Sequence, residues 1–315
     1  MVGVAQLVEP RVVISAVVGS SPIVHPIFRN ARRAIVSLAF AAFASGAVAA
    51  AKPVPTLFVA GDSTASSYTP NAKNQQGWGA VMQPLFDETK LRVVDVARGG
   101  RSSRTFVTEG HWDQTLEQLH KGDFVIIQFG HNDSGALNQE PPGSTRPLRA
   151  RGTIPGIGNE SEDIDNVITG KHETVYSYGW YLRKMISDAR AAGATPILLT
   201  LTKTNNWKDG RIPCAADSYR LWTYKTAQRG KVAFLDLTRI AGDRYQHQGP
   251  DAVKAQFIDD SVHSSLPGAE ANARDVVSGL RTLRGLPFSK LLSSQGRKVG
   301  ADRGPPKDSV CPPLS

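Results

Sequence analysis

The chain has 315 residues, 40% of them apolar and 21% charged. That composition excludes a disordered or fibrous protein and is enough for a large folded core. The formal charge is +9, but residues 1–51 hold four Arg against one Glu and residues 287–315 hold five Lys/Arg against two Asp. Each end thus carries +3 and the long middle only +3, without a dense basic patch interleaved with aromatics, so nucleic acid is not an expected partner.

Arg29, Arg32 and Arg33 precede an apolar run from Ala34 to about Ala50. Ala47-Val48-Ala49 and Ala49-Ala50-Ala51 then offer small-x-small cleavage sites. This is the order of a secretory signal peptide, and the run is short for a membrane span. Residues 1–51 are therefore expected to be a leader and signal peptide. The exported chain is expected in a periplasm or outside the cell, without stable membrane insertion after cleavage.

From residue 55 to 285 short β-rich runs alternate with helical patterns. The runs are Thr56 to Ala60, Val93 to Ala97, Phe124 to Phe129, Pro196 to Leu201 and Val232 to Asp236. The helical patterns are Val81 to Glu88, Trp112 to Leu119, Glu173 to Ala192, Ser218 to Gln228 and Ala269 to Arg284. Apolar strands bounded by Gly, Pro and polar residues and alternating with helices predict an α/β fold. A three-layer α/β/α sandwich around a five-stranded parallel sheet fits, with one domain over 52–290. Two stretches break the rhythm. Residues 132–171 are Gly- and Pro-rich without clear period, and a loop of that length is usually functional or mobile. Residues 291–315 form a polar, basic, Pro-containing tail that composition predicts to be disordered.

Three polar blocks follow strands: Gly61-Asp62-Ser63-Thr64, Gly99-Gly100-Arg101-Ser102-Ser103-Arg104 and Gly130-His131-Asn132-Asp133. In a parallel sheet the C-terminal strand ends lie side by side, so these loops are expected to converge. A fourth block, Asp259-Asp260-Ser261-Val262-His263-Ser264, precedes the last helical pattern. Acyl transfer needs a nucleophile, a base, a group that orients the base, and donors for the oxyanion. Ser63, His263 and Asp260 supply the first three; the Ser63 and Gly100 N–H groups and the Asn132 amide supply the donors. Taken singly, Ser63, Gly99-Gly100 and Asn132 also read as ordinary turn residues, and Asp260 with His263 as a surface ion pair. His131 reads better as a structural hydrogen-bonding residue than as a second base. Arg101 and Arg104 suit carboxylate recognition or internal ion pairs equally well. Trp78, Asn206 and Trp207 are positioned to border a groove, and a Trp there is as often a core filler. Cys214 and Cys311 have no metal-ligand spacing and no CxxC, so one long-loop disulfide and two unpaired thiols both stay open.

Taken together, these blocks resemble the SGNH/GDSL hydrolases, whose Ser, Gly, Asn and Asp-x-x-His occupy successive blocks. Phe58 to Thr64, Gly77-Trp78-Gly79, Ala97 to Phe106, Phe129 to Asp133 and Asp260 to Ser264 most resemble the rhamnogalacturonan acetylesterases, over residues 55 to 290. The resemblance implies a flavodoxin-like sandwich with an open groove, and Ser63, Asp260 and His263 as the triad. It also implies Ser63, Gly100 and Asn132 as the oxyanion hole, no cofactor or metal, and removal of acetyl groups from an acetylated pectic polysaccharide, with a monomer expected. The last block departs from the Asp-x-Thr-His-Thr form at Val262 and Ser264, and Asp259 offers a competing carboxylate. Rival functions are an SGNH esterase on another acetylated glycan such as xylan, a lipase-like enzyme, and a non-catalytic carbohydrate-binding protein on the same fold.

Overall fold

The structure, a computed structural model, describes residues 53–315 apart from positions 70, 72, 216, 217 and 259. The leader and signal peptide expected over 1–51, and Asp259, lie outside the described residues.

In chain order the elements are β1 (Thr56–Gly61), β2 (Arg92–Asp95), α1 (Ser103–Thr108), α2 (His111–Leu116), β3 (Phe124–Gln128), β4 (Ser161–Asp165) and β5 (His172–Tyr176). They continue with α3 (Tyr178–Ala191), β6 (Thr195–Leu199), α4 (Tyr219–Gly230), β7 (Ala233–Leu235), α5 (Leu237–Gln248), α6 (Pro250–Lys254), α7 (Leu266–Leu280) and α8 (Phe288–Leu291). Five strands form one parallel sheet in the order β2-β1-β3-β6-β7. Renumbered within that sheet, the order is 2-1-3-4-5, the flavodoxin-like arrangement.

Successive side chains of a strand face opposite sides, and both sides of this sheet are covered. Leu57, Val59, Phe124, Ile126, Ile197 and Leu199 enter one core with Trp78, Met82, Leu237 of α5, Phe288 of α8 and the apolar stripe of α7. Phe58, Ala60, Val125, Ile127 and Leu198 enter the other core, with Phe106 of α1, Trp112 of α2, the α3 stripe and Ala227 of α4. Each such fully buried aliphatic or aromatic side chain contributes roughly 1.5–3 kcal/mol relative to exposure. The two cores make the sheet the middle layer of an α/β/α sandwich.

Three expectations change. The helix expected from Val81 to Glu88 is two 3₁₀ turns, Gly79–Val81 and Gln83–Leu85, and Pro84, inside the second, has no N–H with which to continue a longer run. The helix expected from Glu173 begins at Tyr178, where the Ser177 hydroxyl accepts from the Trp180 N–H at 3.2 Å. The residues before it form β5, which pairs antiparallel with β4 as a separate two-stranded hairpin; β4 lies inside the long 132–171 stretch and β5 directly follows it.

The third change concerns the C-terminal segment, which is packed rather than disordered. The Ser293 N–H donates to Leu85 O at 3.1 Å, and Arg239 pairs with Asp302. Ser309 Oγ donates to Asp243 Oδ1 at 2.8 Å, and Arg220 Nη1 to Pro312 O at 3.0 Å. A disulfide joins Cys311 to Cys214, 97 residues away. Specific ion pairs and a covalent tie therefore order a segment whose composition alone does not. Among the described residues, no helix is long and apolar enough to cross a membrane.

Candidate active site

In the 2-1-3-4-5 order the chain turns to opposite sides after β1 and β3, which opens a crevice at their C-terminal ends. Ser63 follows β1 and Asn132 follows β3, so the topology alone brings the first and third blocks to one place. The turn carrying Ser63 is held from several sides. Asp62 Oδ1 accepts from the Thr64 N–H at 2.9 Å and from its hydroxyl at 2.8 Å. The N–H groups of Gly77, Trp78 and Gly79 donate to Ser66 O, Thr64 O and Ala65 O, each at 3.0 Å. Trp78 is fully buried, and its Nε1 donates to Gln128 Oε1 at 3.0 Å, an acceptor that also lies 3.3 Å from Thr64 Oγ1. Trp78 therefore does not border a groove: its short Gly-flanked segment buries the indole beneath the turn that carries Ser63.

His263 and Asp260 share a loop clipped at its base, where Ile258 N–H donates to His263 O at 3.0 Å and Ser265 N–H to Gln256 O at 3.0 Å. Gln76 N–H reaches Ser264 O at 2.9 Å, which ties this loop to the Ser63 side. His263 Nε2 lies 2.9 Å from Ser63 Oγ, and Nδ1 lies 2.6 Å from Asp260 Oδ2. Asp260 Oδ1 accepts the Val262 N–H at 2.7 Å and the His263 N–H at 2.6 Å. Partial burial raises the Asp260 carboxyl. The His263 hydrogen bond and the two backbone N–H groups outweigh that and hold it below the usual carboxylate value. With the carboxylate accepting at Nδ1, the imidazole keeps its Nε2 lone pair for the serine proton. Ser264, at one of the departing positions, is buried, and its Oγ accepts a hydrogen bond from Asn272 Nδ2 of α7 at 3.3 Å.

The residues expected to be oxyanion donors lie alongside. Gly100 has φ +78°, a left-handed conformation that glycine adopts without steric cost. Asn132 is buried, and its Nδ2 donates one hydrogen to Arg101 O at 2.8 Å, which fixes the amide and leaves its second hydrogen free. Ser63, Gly100, Asn132 and His263 all line one cleft of about 670 Å³. The neighbouring Asp133 is fully buried and accepts from Ser103 N–H at 3.0 Å and Ser103 Oγ at 2.5 Å. Burial raises its carboxyl to about 7 against the pull of the Ser103 bonds. His131 lies 3.0 Å from Thr202 Oγ1, and burial pushes its imidazole down, so it serves as a neutral hydrogen-bonding wall.

Other expected contacts are not brought together. Arg104 is fully buried, its Nε and Nη2 paired with the two carboxylate oxygens of Glu173 at 2.7 and 2.8 Å. Its Nη1 donates to Leu137 O at 2.6 Å and Gly152 O at 2.9 Å, so every donor direction points inward. Arg101 pairs with Glu109 at 2.8 Å and donates to Gly99 O at 3.1 Å, away from the cleft lining. Trp207 packs with Ile212, Ala241, Tyr245, Val253 and Phe257, its Nε1 donating to Asn205 Oδ1 at 2.8 Å. Asn206 is exposed, with its amide 3.4 Å from Thr204 Oγ1, and neither residue lines the cleft. The loop instead serves the base, because Asn205 N–H donates to Ser261 O at 2.8 Å.

The cleft has a wall that the blocks did not announce. Tyr68 donates its hydroxyl to Ser63 O at 2.7 Å, and burial raises the phenol far above neutral pH, so it stays a donor. Arg146, Arg149 and Arg151 come from the long stretch after Asn132. Their spacing was visible in the sequence, but nothing local aimed them. Among the described residues, no cluster of His, Cys, Asp and Glu is placed to hold a metal ion.

The known proteins this chain resembles fit that geometry. Rhamnogalacturonan acetylesterase RhgT of Bacillus subtilis is 31% identical over 264 residues, 78% of this chain and 98% of the relative. Rhamnogalacturonan acetylesterase of Emericella nidulans is 28% identical over 218 residues, 69% of this chain and 81% of the relative. The crystal structure of protein YxiM from Bacillus subtilis superposes with a TM-score of 0.58 at 24% identity and shares the fold. The match covers 73% of this chain, which spans 56% of that structure's length. The model of the GDSL-like lipase/acylhydrolase family matches residues 59–271, a span that runs from the strand before Ser63 to beyond His263. The chain therefore belongs to the GDSL-like lipase/acylhydrolase family, as an SGNH carboxylic ester hydrolase.

Proposed function

We propose that this ester hydrolase removes acetyl groups from an acetylated pectic polysaccharide, with rhamnogalacturonan as its substrate class. The observation that carries the proposal is the Ser63–His263–Asp260 chain of contacts, 2.9 and 2.6 Å, on the floor of an open cleft walled by three arginines. A chain-like substrate fits an open cleft. A pectic backbone brings the anionic charge that arginines favour. The relatives named as rhamnogalacturonan acetylesterases support the same substrate. Among the described residues, Pro147 is the single aliphatic one in the lining, which disfavours a long acyl chain.

Ser63 is the nucleophile. His263 Nε2 takes its proton as Oγ attacks the acetyl carbonyl carbon, and Asp260 stabilises the imidazolium that forms. The carbonyl π electrons move to oxygen, and this oxyanion meets the Ser63 and Gly100 N–H groups and the free hydrogen of the Asn132 amide. Collapse breaks the bond to the sugar oxygen, which leaves with the proton from His263. A water then gives its proton to His263 and attacks the acetyl-Ser63 ester. Breakdown of the second tetrahedral species releases acetic acid, ionised at neutral pH, and returns the proton to Ser63.

Export is part of the proposal. A disulfide between Cys214 and Cys311 persists in an oxidising compartment, which supports the signal-peptide reading. The deciding assay is acetate release from acetylated rhamnogalacturonan, acetylated xylan and a long-chain ester at equal ester concentration. Highest kcat/KM on the pectic substrate is expected. A clear preference for xylan or the long-chain ester overturns the substrate proposal and leaves the hydrolase mechanism standing.

A further inference from the structure

Among the described residues, the lining of the cleft holds three Arg against one Glu, Glu140. Arg146, Arg149 and Arg151 form no ion pair among the described residues. Two of them converge on the oxyanion glycine. A methyl group built on Gly100 would lie 3.7 Å from Arg151 Nη1 and 3.8 Å from Arg149 Nη1. Arg151 Nη1 also donates to Gly100 O at 2.9 Å, which occupies one of its five N–H donors. Burial and then the neighbouring Arg149 charge hold Arg151 below the usual guanidinium range. Two like charges brought together in a half-buried wall repel, and the repulsion is relieved by an anion that both can grip.

The backbone shows that this convergence is built. Ala150, between the two arginines, is buried and has φ +42°, a left-handed conformation unfavourable for a residue with a Cβ. The segment that follows is pinned to the floor of the site. Gly152 N–H donates to Ala136 O at 2.8 Å, and Thr153 N–H to Asp133 O at 3.0 Å. Gly152 lies so close to this neighbour that a Cβ would fall 2.0 Å from Gly135 O. The buried Arg104 grips Gly152 O from below. A strained residue and a close backbone contact hold Arg149 and Arg151 over Gly100.

We propose that Arg149 and Arg151 form a carboxylate subsite beside the oxyanion hole. It grips the uronate group of the sugar that carries or adjoins the acetyl ester, and so sets which ester reaches Ser63. The subsite rests on the pectic reading above and adds residues and a position to it. Arg149 is exposed and serves as the adjustable half; Arg151 is half-buried and serves as the fixed half.

The test uses 4-nitrophenyl acetate, which has no carboxylate, as reporter, with unacetylated trigalacturonate and neutral xylotriose as competitors. Wild-type enzyme is expected to be inhibited by trigalacturonate with a Ki about tenfold or more below that of xylotriose, and less so as salt rises. Arg149→Glu, at an exposed position, is expected to weaken trigalacturonate about 10- to 100-fold relative to xylotriose. Arg151→Lys is expected to weaken it less. Equal inhibition by the two trisaccharides, or a trigalacturonate Ki that Arg149→Glu leaves in place, overturns the subsite. Failure of the pectic reading shows separately, as absent acetate release from acetylated rhamnogalacturonan by an enzyme that trigalacturonate still inhibits. Should Arg151→Lys reduce aryl-ester turnover through its contact with Gly100, the wild-type competition and Arg149→Glu still decide.

Discussion

The floor and the wall of the cleft are made in different ways. The floor is a set of short turns at the ends of parallel strands. Ser63, Gly100 and Asn132 each sit within a few residues of a strand or its following helix, and backbone hydrogen bonds from residues 76–79 lock Ser63 to the His263 loop. The wall is a long excursion between β3 and α3 that carries its own two-stranded hairpin and returns to the floor at Gly152 and Thr153. Position on the floor follows from the sheet. Position on the wall follows from one buried ion pair and a few tight backbone contacts. Chemistry is therefore expected to be fixed by the floor and selectivity by the wall, and substitutions are expected to separate the two.

The largest effect is expected on the floor. Ser63→Ala is expected to lower kcat on any acetyl ester by on the order of 10⁴-fold or more, since the other members of a triad add little without the nucleophile. Wild-type turnover by the purified, folded variant would sink the proposed mechanism. Next is the anchor of the wall. Arg104→Ala leaves Glu173 without its cation and frees the Leu137 and Gly152 carbonyls, and is expected to cost about 3–5 kcal/mol in urea unfolding. Because Gly152 follows Arg151, the variant is also expected to lose more kcat/KM on polysaccharide than on 4-nitrophenyl acetate. Equal losses on both would mean that wall and floor are one unit. Asn132→Ala removes one oxyanion donor and is expected to lower kcat about 10²- to 10³-fold, roughly 2.7–4 kcal/mol, on small and polymeric esters alike. A loss confined to the polymer would move Asn132 from the floor to the wall.

The same division explains what the sequence disclosed. Floor residues are types that strand ends make diagnostic: a Ser after Gly-Asp, a Gly pair, an Asn after Gly-His and an Asp three residues before a His. The sheet was legible because Leu57 to Ala60 and Val125 to Ile127 are apolar on both faces, as only a covered parallel strand needs to be. The wall has no such signature. Ser161–Asp165 is a strand of mostly exposed charged residues, and its partner Glu173 to Tyr176 merges into the helical pattern that follows. Ser177 was the readable boundary, as an N-cap. For Arg104 the sequence left carboxylate recognition and an internal ion pair equally open, because its partner Glu173 is 69 residues away. Trp78 between two glycines reads as loop, yet those three backbone N–H groups staple the nucleophile turn and carry the indole inside. In the C-terminal segment Cys311 was the one local clue to order, and the Asp243 and Arg239 contacts depend on a helix that lies far away in sequence.

The joint between the two regions is Asp133, and it gives the smallest effect and the finest test. Its side chain accepts from Ser103 at the start of α1, its carbonyl accepts from Thr153 of the wall, and its neighbour Asn132 is a proposed oxyanion donor. Burial raises the Asp133 carboxyl from 3.8 to about 7, against the hydrogen bonds from Ser103. Between these values the folded state binds more protons than the unfolded chain. The sign follows: the contribution to stability is fully present below about pH 4 and is lost as pH rises through about 7. From about pH 5 to about pH 8 the loss is expected to reach roughly 2–3 kcal/mol. Asp95, half-buried and raised to about 7 by the desolvation of its carboxyl, gives a parallel slope of its own. Asp133→Asn keeps an acceptor for Ser103 and has no proton to lose, so urea midpoints across this range are expected to flatten by the Asp133 share and leave the Asp95 share. An unchanged slope in that variant would mean that Asp133 is already ionised in the folded protein. Its charge would then lie beside Asn132 during the reaction, and the oxyanion would form against it.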